Sequence, residues 1–129
     1  MAKIGMAFFP SATFGVVLAL SSPAHAADAW QCKFTDQPWV ENFEVHRNEL
    51  VRWSNDFILI YRILRNDKNG VTAVYSQGDD KSIMTTMVMI AEPSGDMLIS
   101  IQSTHGFNDR QTGSCRVVKS PIPGSPIPR

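Results

Sequence analysis

The sequence predicts an all-β fold, a small antiparallel meander of about eight strands that closes into a barrel. Short runs of alternating or β-branched residues recur along the chain and are separated by Gly, Pro, Asn and Asp. No run sustains the 3.6-residue apolar period of a helix. Two cysteines, Cys32 and Cys115, lie near the first and last of these runs. Because a disulfide between them would join the two outermost strands, a closed barrel is favoured, and a two-sheet β-sandwich is the alternative.

In the first half of the chain, runs of strand-forming residues that are bounded by turn residues predict the early strands. Residues 30–35 form the first run, which Asp36-Gln37-Pro38 ends. Residues 39–46 alternate apolar and polar side chains, and Arg47-Asn48 then predicts a turn. The run at 57–65 is the strongest strand, because it is rich in β-branched and aromatic residues and both of its faces are largely apolar.

The second half begins with a predicted hairpin. Residues 66–70, Asn-Asp-Lys-Asn-Gly, form its loop, in which Gly70 tolerates positive φ. Residues 92–96 contain Pro and Gly and mark another turn. We expect residues 104–113 to be a polar loop. In chain order, the predicted strands are 30–35, 39–46, 50–53, 57–65, 71–76, 82–91, 97–103 and 114–119.

The first 26 residues have the pattern of a signal peptide. Lys3 provides a positive charge, residues 7–20 are mostly apolar, and Ala24-His25-Ala26 has the small-x-small form that a signal peptidase accepts. The apolar run is shorter than the about 20 residues that a membrane-spanning helix needs. We therefore expect cleavage after Ala26 and a periplasmic or secreted location in a bacterium. In such an oxidising compartment, Cys32 and Cys115 are expected to form a disulfide.

Cleavage after Ala26 would leave residues 27–129, enough for a single domain. We expect a single β domain over residues 27–119 and a disordered, proline-rich tail over 120–129, in which Ser-Pro-Ile-Pro occurs twice. Residues 27–129 contain 11 basic and 12 acidic residues, a formal charge of −1. This balance argues against binding to nucleic acid, which needs a basic face. It also argues against a polybasic membrane-surface protein.

The sequence contains no catalytic motif, and we predict that the protein is not an enzyme. It has no nucleophile elbow, phosphate-binding glycine loop or zinc-binding histidine pair. Ser103, His105 and Asp109 are the residue types of a hydrolase triad, but they crowd one loop, whereas triads are usually assembled from separate elements.

The methionines provide a second candidate chemistry. Met84, Met87, Met89 and Met97 lie on two neighbouring predicted strands, and thioethers are ligands that select Cu(I). Methionine is also an adaptable core residue. Since Met84 alternates to the face opposite Met87 and Met89, core packing is favoured, and no metal site or cofactor is predicted.

The polar segment 103–114 is the best candidate for partner binding. It contains His105, Phe107, Asp109 and Arg110. Aromatic residues and arginine are enriched among the residues that dominate binding energy in protein interfaces. Phe107 is therefore either a binding anchor or a side chain that folds inward to cover the end of a barrel.

Some motifs resemble those of small exported bacterial proteins. They are Tyr61-x-Ile63-Leu64-x-Asn66, Gly70-x-x-Ala73-Val74 and Gly113-x-Cys115. The plan of the domain is also similar to that of the periplasmic and secreted inhibitors of c-type lysozyme, which are small antiparallel barrels with an early cysteine. Those inhibitors insert a Ser-Gly-x-x-Tyr-type loop into the lysozyme cleft. This chain has no such loop, so the resemblance implies the fold and carries over no inhibitor residue.

Together these observations predict an exported, non-enzymatic binding protein, for example an inhibitor, that recognises a protein partner through surface loops on a rigid scaffold. The alternative is a periplasmic carrier of a small apolar ligand or soft metal, held in the interior or mouth of the barrel. The many large apolar side chains favour an interior that is filled by the protein itself.

Overall fold

The computed structural model describes residues 26–128, so the predicted signal peptide, apart from Ala26, lies outside the described residues. Eight antiparallel strands follow one another in chain order and close into a barrel. The strands are β1 (Ala29–Phe34), β2 (Val40–His46), β3 (Glu49–Trp53), β4 (Ile58–Asp67), β5 (Gly70–Gly78), β6 (Ile83–Ala91), β7 (Asp96–Ser103) and β8 (Asn108–Val117). The predicted all-β barrel is confirmed, and the alternative sandwich is not observed.

The barrel closes between β1 and β8, and the predicted disulfide lies in this seam. Cys32 is directly opposite Cys115 in the register, and the two sulfur atoms are 2.03 Å apart. Gly113 lies two residues earlier on β8, where an added Cβ would be 2.4 Å from the carbonyl oxygen of Lys33. A glycine is therefore needed for the two strands to approach. The disulfide is consistent with an extracellular or periplasmic protein.

The barrel interior is filled by the inward-facing side chains of all strands except β8, whose Cys115 is partly buried against them. Trp30, Phe43 and Tyr61 are the largest of these fully buried side chains. Apolar side chains from β5, β6 and β7 complete the core: Val71, Ala73, Val88, Ile90, Met97 and Ile99. Burying apolar side chains in this way is the main favourable contribution to folding.

The meander gives the barrel two different rims. We call the rim formed by loops 35–39, 54–57, 79–82 and 104–107 the loop rim. The opposite rim, formed by turns 47–48, 68–69 and 92–95, is called the turn rim. No helix among residues 26–128 is long and apolar enough to cross a membrane.

Two segments differ from the sequence-based expectation. The predicted loop 104–113 was wrong over most of its length, because β8 already begins at Asn108. Six residues of the predicted loop, 108–113, pair with β7, among them Asp109 with Ile101 and Gln111 with Ile99. Backbone pairing with both neighbours holds β8 in the sheet although its side chains are mostly polar.

The tail is the second difference. Ile122 and Ile127 are buried against Ala29, Val51 and Trp53 on the outer surface of β1 and β3. This packing differs from the disordered tail that its composition predicts. The Ser-Pro-Ile-Pro repeat places two isoleucines five residues apart, and the outer wall of this part of the barrel provides the apolar surface that receives them.

A buried carboxylate fixes the tail on that wall. Glu44 is fully buried on the outer side of β2. Its Oε2 accepts a hydrogen bond from the backbone N–H of Ile122 (3.0 Å), and its Oε1 accepts from the Ser125 hydroxyl (2.5 Å) and from Nε1 of Trp53 (2.8 Å). The tail therefore supplies two of the donors that allow this carboxylate to be buried.

Candidate binding rim

The loop rim presents a ring of apolar side chains. One such side chain lies where each of the next strands begins. Trp39, Phe57 and Phe107 are the last residues of loops 35–39, 54–57 and 104–107, and Ile83 is the first residue of β6. Trp39, Ile83 and Phe107 are 50%, 52% and 55% exposed, and Phe57 is partly exposed. Val40 and Ile58, the next residues on two of these strands, are also exposed. We call the four residues at the strand starts the apolar ring.

Local hydrogen bonds hold the loops that carry this ring. The Ser103 hydroxyl accepts bonds from the backbone N–H groups of His105 and Phe107, both at 3.2 Å. Loops 79–82 and 104–107 are joined because Ile83 N–H donates to Thr104 Oγ1 and Thr104 N–H donates to the Ile83 carbonyl. Loops with this many internal bonds lose little conformational entropy when a partner binds.

A buried ion pair lies beneath the loop rim. Nε of Arg52 is 2.5 Å from Oε1 of Glu41, and the two side chains are 13% and 5% exposed. Nη1 of Arg52 also donates to the Tyr61 hydroxyl at 3.1 Å. Trp39 of the apolar ring donates from Nε1 to the other oxygen of Glu41 at 3.2 Å. The ion pair therefore fixes the orientation of one ring member from below.

Aromatic rings enclose the guanidinium of Arg52. The rings of Phe34, Phe43 and Phe57 lie 5.5, 5.9 and 5.5 Å from its Cζ, within cation–π range. Burial alone would lower the pKa of Arg52. The hydrogen bonds with Glu41 and Tyr61 and the negative charge of Glu41 outweigh burial and raise this pKa above its usual value. Arg52 is therefore a permanent cation that holds Phe57, a second ring member, in place.

Surface grooves open beside the apolar ring at the loop rim. One, of about 460 Å³, lies between Trp39 and Phe57. A second, of about 440 Å³, is lined by Phe107, Met84 and Gln77. A third, of about 220 Å³, is lined by residues that include Asp109 and Arg110. Such recesses beside exposed aromatic side chains provide positions into which side chains of a partner can insert.

The structure places the four residues that the sequence singles out on two different elements. They are His105, Phe107, Asp109 and Arg110. Phe107 points to solvent, so the alternative in which it covers the barrel end is not observed. His105 is exposed in the same loop. Asp109 and Arg110 lie on β8 rather than in a loop, on opposite faces of the strand, because successive side chains alternate. Phe107 and His105 thus share the rim surface, and Arg110 is on the outer wall beside it.

Sequence reasoning missed Trp39, Phe57 and Ile83 as members of the site. The signal was present, because in a meander every second connection lies at the same end of the barrel. The buried pair was also missed. Glu41 shares a strand face with Phe43, and Arg52 shares one with Leu50, so each is a charge on an otherwise apolar face of its strand.

The methionines do not converge on one site. Met97 is buried in the core, as the preference for core packing predicts. Met84 faces the groove beside Phe107, whereas Met89 is exposed on the outer wall. Among residues 26–128, no three His, Cys, Asp or Glu side chains are grouped to hold a metal ion.

The tail reaches the loop rim from the outside. Gly124 and Pro126 line a groove of about 490 Å³ together with loop 54–57. The same loop lines the groove between Trp39 and Phe57 on its other side. The loop that presents Phe57 therefore lies between the tail and the apolar ring.

Comparisons of this chain with protein-family models, with curated proteins and with solved structures gave no match.

Proposed function

We propose that this is an exported, non-enzymatic binding protein that recognises a protein partner with its loop rim. The observation that carries the proposal is the apolar ring of Trp39, Phe57, Ile83 and Phe107, at one rim of a barrel whose opposite turns contain no large apolar side chain. Apolar side chains that are grouped on a surface in this way mark sites of interaction.

The size of the ring fits this role. A fully buried aromatic side chain removes about 150–250 Å² from solvent. The four ring members would form the centre of an interface, for which about 800 Å² per partner is standard. The interior is already occupied by Trp30, Phe43 and Tyr61. This favours the outer rim over the barrel interior as the binding site.

Photo-crosslinking from the two rims tests the proposal. The photoreactive residue p-benzoylphenylalanine replaces His105 on the loop rim or Lys68 on the turn rim, and each protein is irradiated in the exported fraction of the cell that makes it. We expect an adduct of discrete mass from position 105 and none from position 68. Equal adducts from both positions would contradict the proposal.

Matched variants show whether the apolar ring causes the adduct. Phe107→Ser should abolish it, because it removes a 55% exposed ring member. Leu64→Ser removes a 51% exposed side chain from β4, outside the loop rim, and should leave the adduct unchanged. An adduct that survives both Phe107→Ser and Trp39→Ser would show that the ring does not bind the partner.

A further inference from the structure

Negative charge surrounds the apolar ring. Asp36, Asp56, Asp79 and Asp80 are exposed in the loops of the loop rim, and these loops contain one basic residue, Lys81. The four loops therefore carry a formal charge of −3. Asp109 and Arg110, at the edge of the same rim, add one charge of each sign and leave this value unchanged.

The rest of the protein does not share this charge. Residues 26–128 contain ten basic and twelve acidic residues, a formal charge of −2. The four loops of the loop rim carry a formal charge of −3, so the other described residues together carry a formal charge of +1. The turns of the turn rim contain Arg47, Lys68 and Glu92. The negative charge of the described chain is thus concentrated at the rim that carries the apolar ring.

The loop-rim aspartates form no ion pair with any residue in the described range 26–128. The ion pairs among the described residues are Arg52–Glu41, beneath the rim, and Arg65–Asp67, at the turn rim. The Asp79 carboxylate accepts hydrogen bonds from the backbone N–H groups of Lys81 and Ser82, which lower its pKa. It therefore keeps its charge at neutral pH.

The carboxylates and the apolar ring are interleaved. Asp36 precedes Trp39 by three residues, Asp56 is adjacent to Phe57, and Asp80 precedes Ile83 by three residues. Each aspartate therefore lies in the same loop as a ring member or in the loop that leads to it. A complementary surface must place apolar groups at the ring and positive charges around it.

We infer that the partner is a protein surface with an apolar centre and a cationic border. This inference rests on the proposed function and specifies the partner of the same site. Complementary charge speeds diffusional encounter and excludes partners of like charge, while the apolar contacts supply most of the affinity. Binding should therefore weaken as the salt concentration rises, because salt screens exposed charges.

Two synthetic peptides test this inference on the exported, ¹⁵N-labelled protein. In one, lysine alternates with tryptophan and leucine, and in the other, glutamate replaces every lysine. Amide chemical shifts are followed as each peptide is added at low salt. We expect the cationic peptide to shift loop-rim amides, including those of His105 and Phe107, and the anionic peptide to leave them unchanged.

Charge-reversed variants make the test quantitative. The double variant Asp36→Lys with Asp80→Lys should weaken binding of the cationic peptide about tenfold, because four units of charge change beside the apolar ring. The control is Glu49→Lys with Asp96→Lys, two exposed residues from the half of the barrel nearer the turn rim, with the same change of net charge. It should weaken binding less than twofold.

The outcomes separate this inference from the proposed function. If both peptides shift the loop-rim amides equally, or if the two double variants weaken binding equally, the cationic partner is wrong and the binding rim stands. If neither peptide shifts these amides, or if the shifts lie outside the loop rim, both the inference and the proposed function are overturned.

Discussion

The two rims of the barrel close the same eight strands in opposite ways. The turn rim has short connections of polar residues, and Nε1 of Trp30 donates to Glu92 beneath it at 2.7 Å. The loop rim has longer connections, exposed aromatic side chains and a buried ion pair. The polar connections of the turn rim favour stability and solubility. The exposed aromatic side chains and the buried ion pair of the loop rim cost stability.

This difference supports the proposal that the loop rim, and not the turn rim, binds a partner. An aromatic side chain that stays half exposed contributes less to folding than a buried one. A buried ion pair is often no more stabilising than apolar residues of the same volume. Both features lie at one rim and contact one another, since Trp39 bonds to Glu41 and Phe57 lies against Arg52. Real proteins depart from the rules of stability mainly at functional sites.

The disulfide lies in the seam between β1 and β8, which connects the two rims. Its loss should lower the free energy of unfolding more than any other change considered. Replacing Cys32 and Cys115 by alanine opens a covalent loop with a sequence separation of 83 residues. By chain entropy, the free energy of unfolding should fall by roughly 4 to 5 kcal/mol, measured by urea denaturation. Hydrogen exchange should increase at both rims. Faster exchange confined to one rim would show that the two rims do not share a single cooperative structure.

The ion pairs of the two rims provide a direct comparison. Arg52→Met leaves Glu41 charged and buried, and should lower the free energy of unfolding by about 3 to 5 kcal/mol. Arg65→Met, at the turn rim, breaks a pair whose side chains are 61% and 41% exposed, and should cost less than about 1 kcal/mol. Urea denaturation of the two variants measures the difference.

A second variant identifies the cause. Replacing both Glu41 and Arg52, by leucine and methionine, should recover most of the stability that Arg52→Met loses, because no unpaired charge remains buried. If the double variant is as unstable as Arg52→Met, the loss comes from packing of the aromatic rings around Arg52 rather than from the unpaired carboxylate.

The tail next to the loop rim should respond to a smaller change. Glu44→Gln replaces one acceptor oxygen with an NH₂ group and removes the charge from the hydrogen bonds to Ile122, Ser125 and Trp53. The free energy of unfolding should fall by about 1 to 3 kcal/mol. The amide of Ile122 should exchange faster with solvent in hydrogen-exchange experiments. Glu49→Gln, at an exposed position, is the control, and unchanged exchange at Ile122 in Glu44→Gln would refute this role of Glu44.

The sequence predicts the barrel because strand alternation and short turns report on local structure, and the two cysteine positions indicate that the first and last strands meet. The prediction fails at β8, where the inward positions nearest the loop rim are the polar residues Asp109 and Gln111. At the mouth of a barrel, inward positions are near solvent and do not need to be apolar, so the alternating pattern disappears. Backbone pairing with β7 and β1, which leaves no mark on composition, then decides the structure.

The tail and the site were missed for a related reason. The tail is held by the outer wall of β1, β2 and β3, and its partner Glu44 is 78 residues away from Ile122 in sequence. The apolar ring collects one residue from the start of, or just before, each of four strands, and only Phe107 stands out in its own segment. The sequence singles out Phe107 because its segment is polar, whereas it places Trp39 in a predicted strand.

The smallest predicted effect is the response of the loop rim to alkaline pH. Burial raises the pKa of Tyr61 above its usual value of 10.0, and the charge of Arg52 partly opposes this shift. The folded state holds the Tyr61 proton more tightly than the unfolded state does. The contribution of this group to the free energy of unfolding is therefore present below pH 10, and it is lost as the pH rises through the Tyr61 pKa of the folded protein. Urea denaturation between neutral and alkaline pH should show this decline, and Tyr61→Phe should make it shallower.

Tyr75→Phe alters the neighbouring ring, whose centroid is 5.9 Å away, and should retain the decline. A decline of the same steepness in Tyr61→Phe would assign the pH response to other groups and would remove Tyr61 from the account of the loop rim.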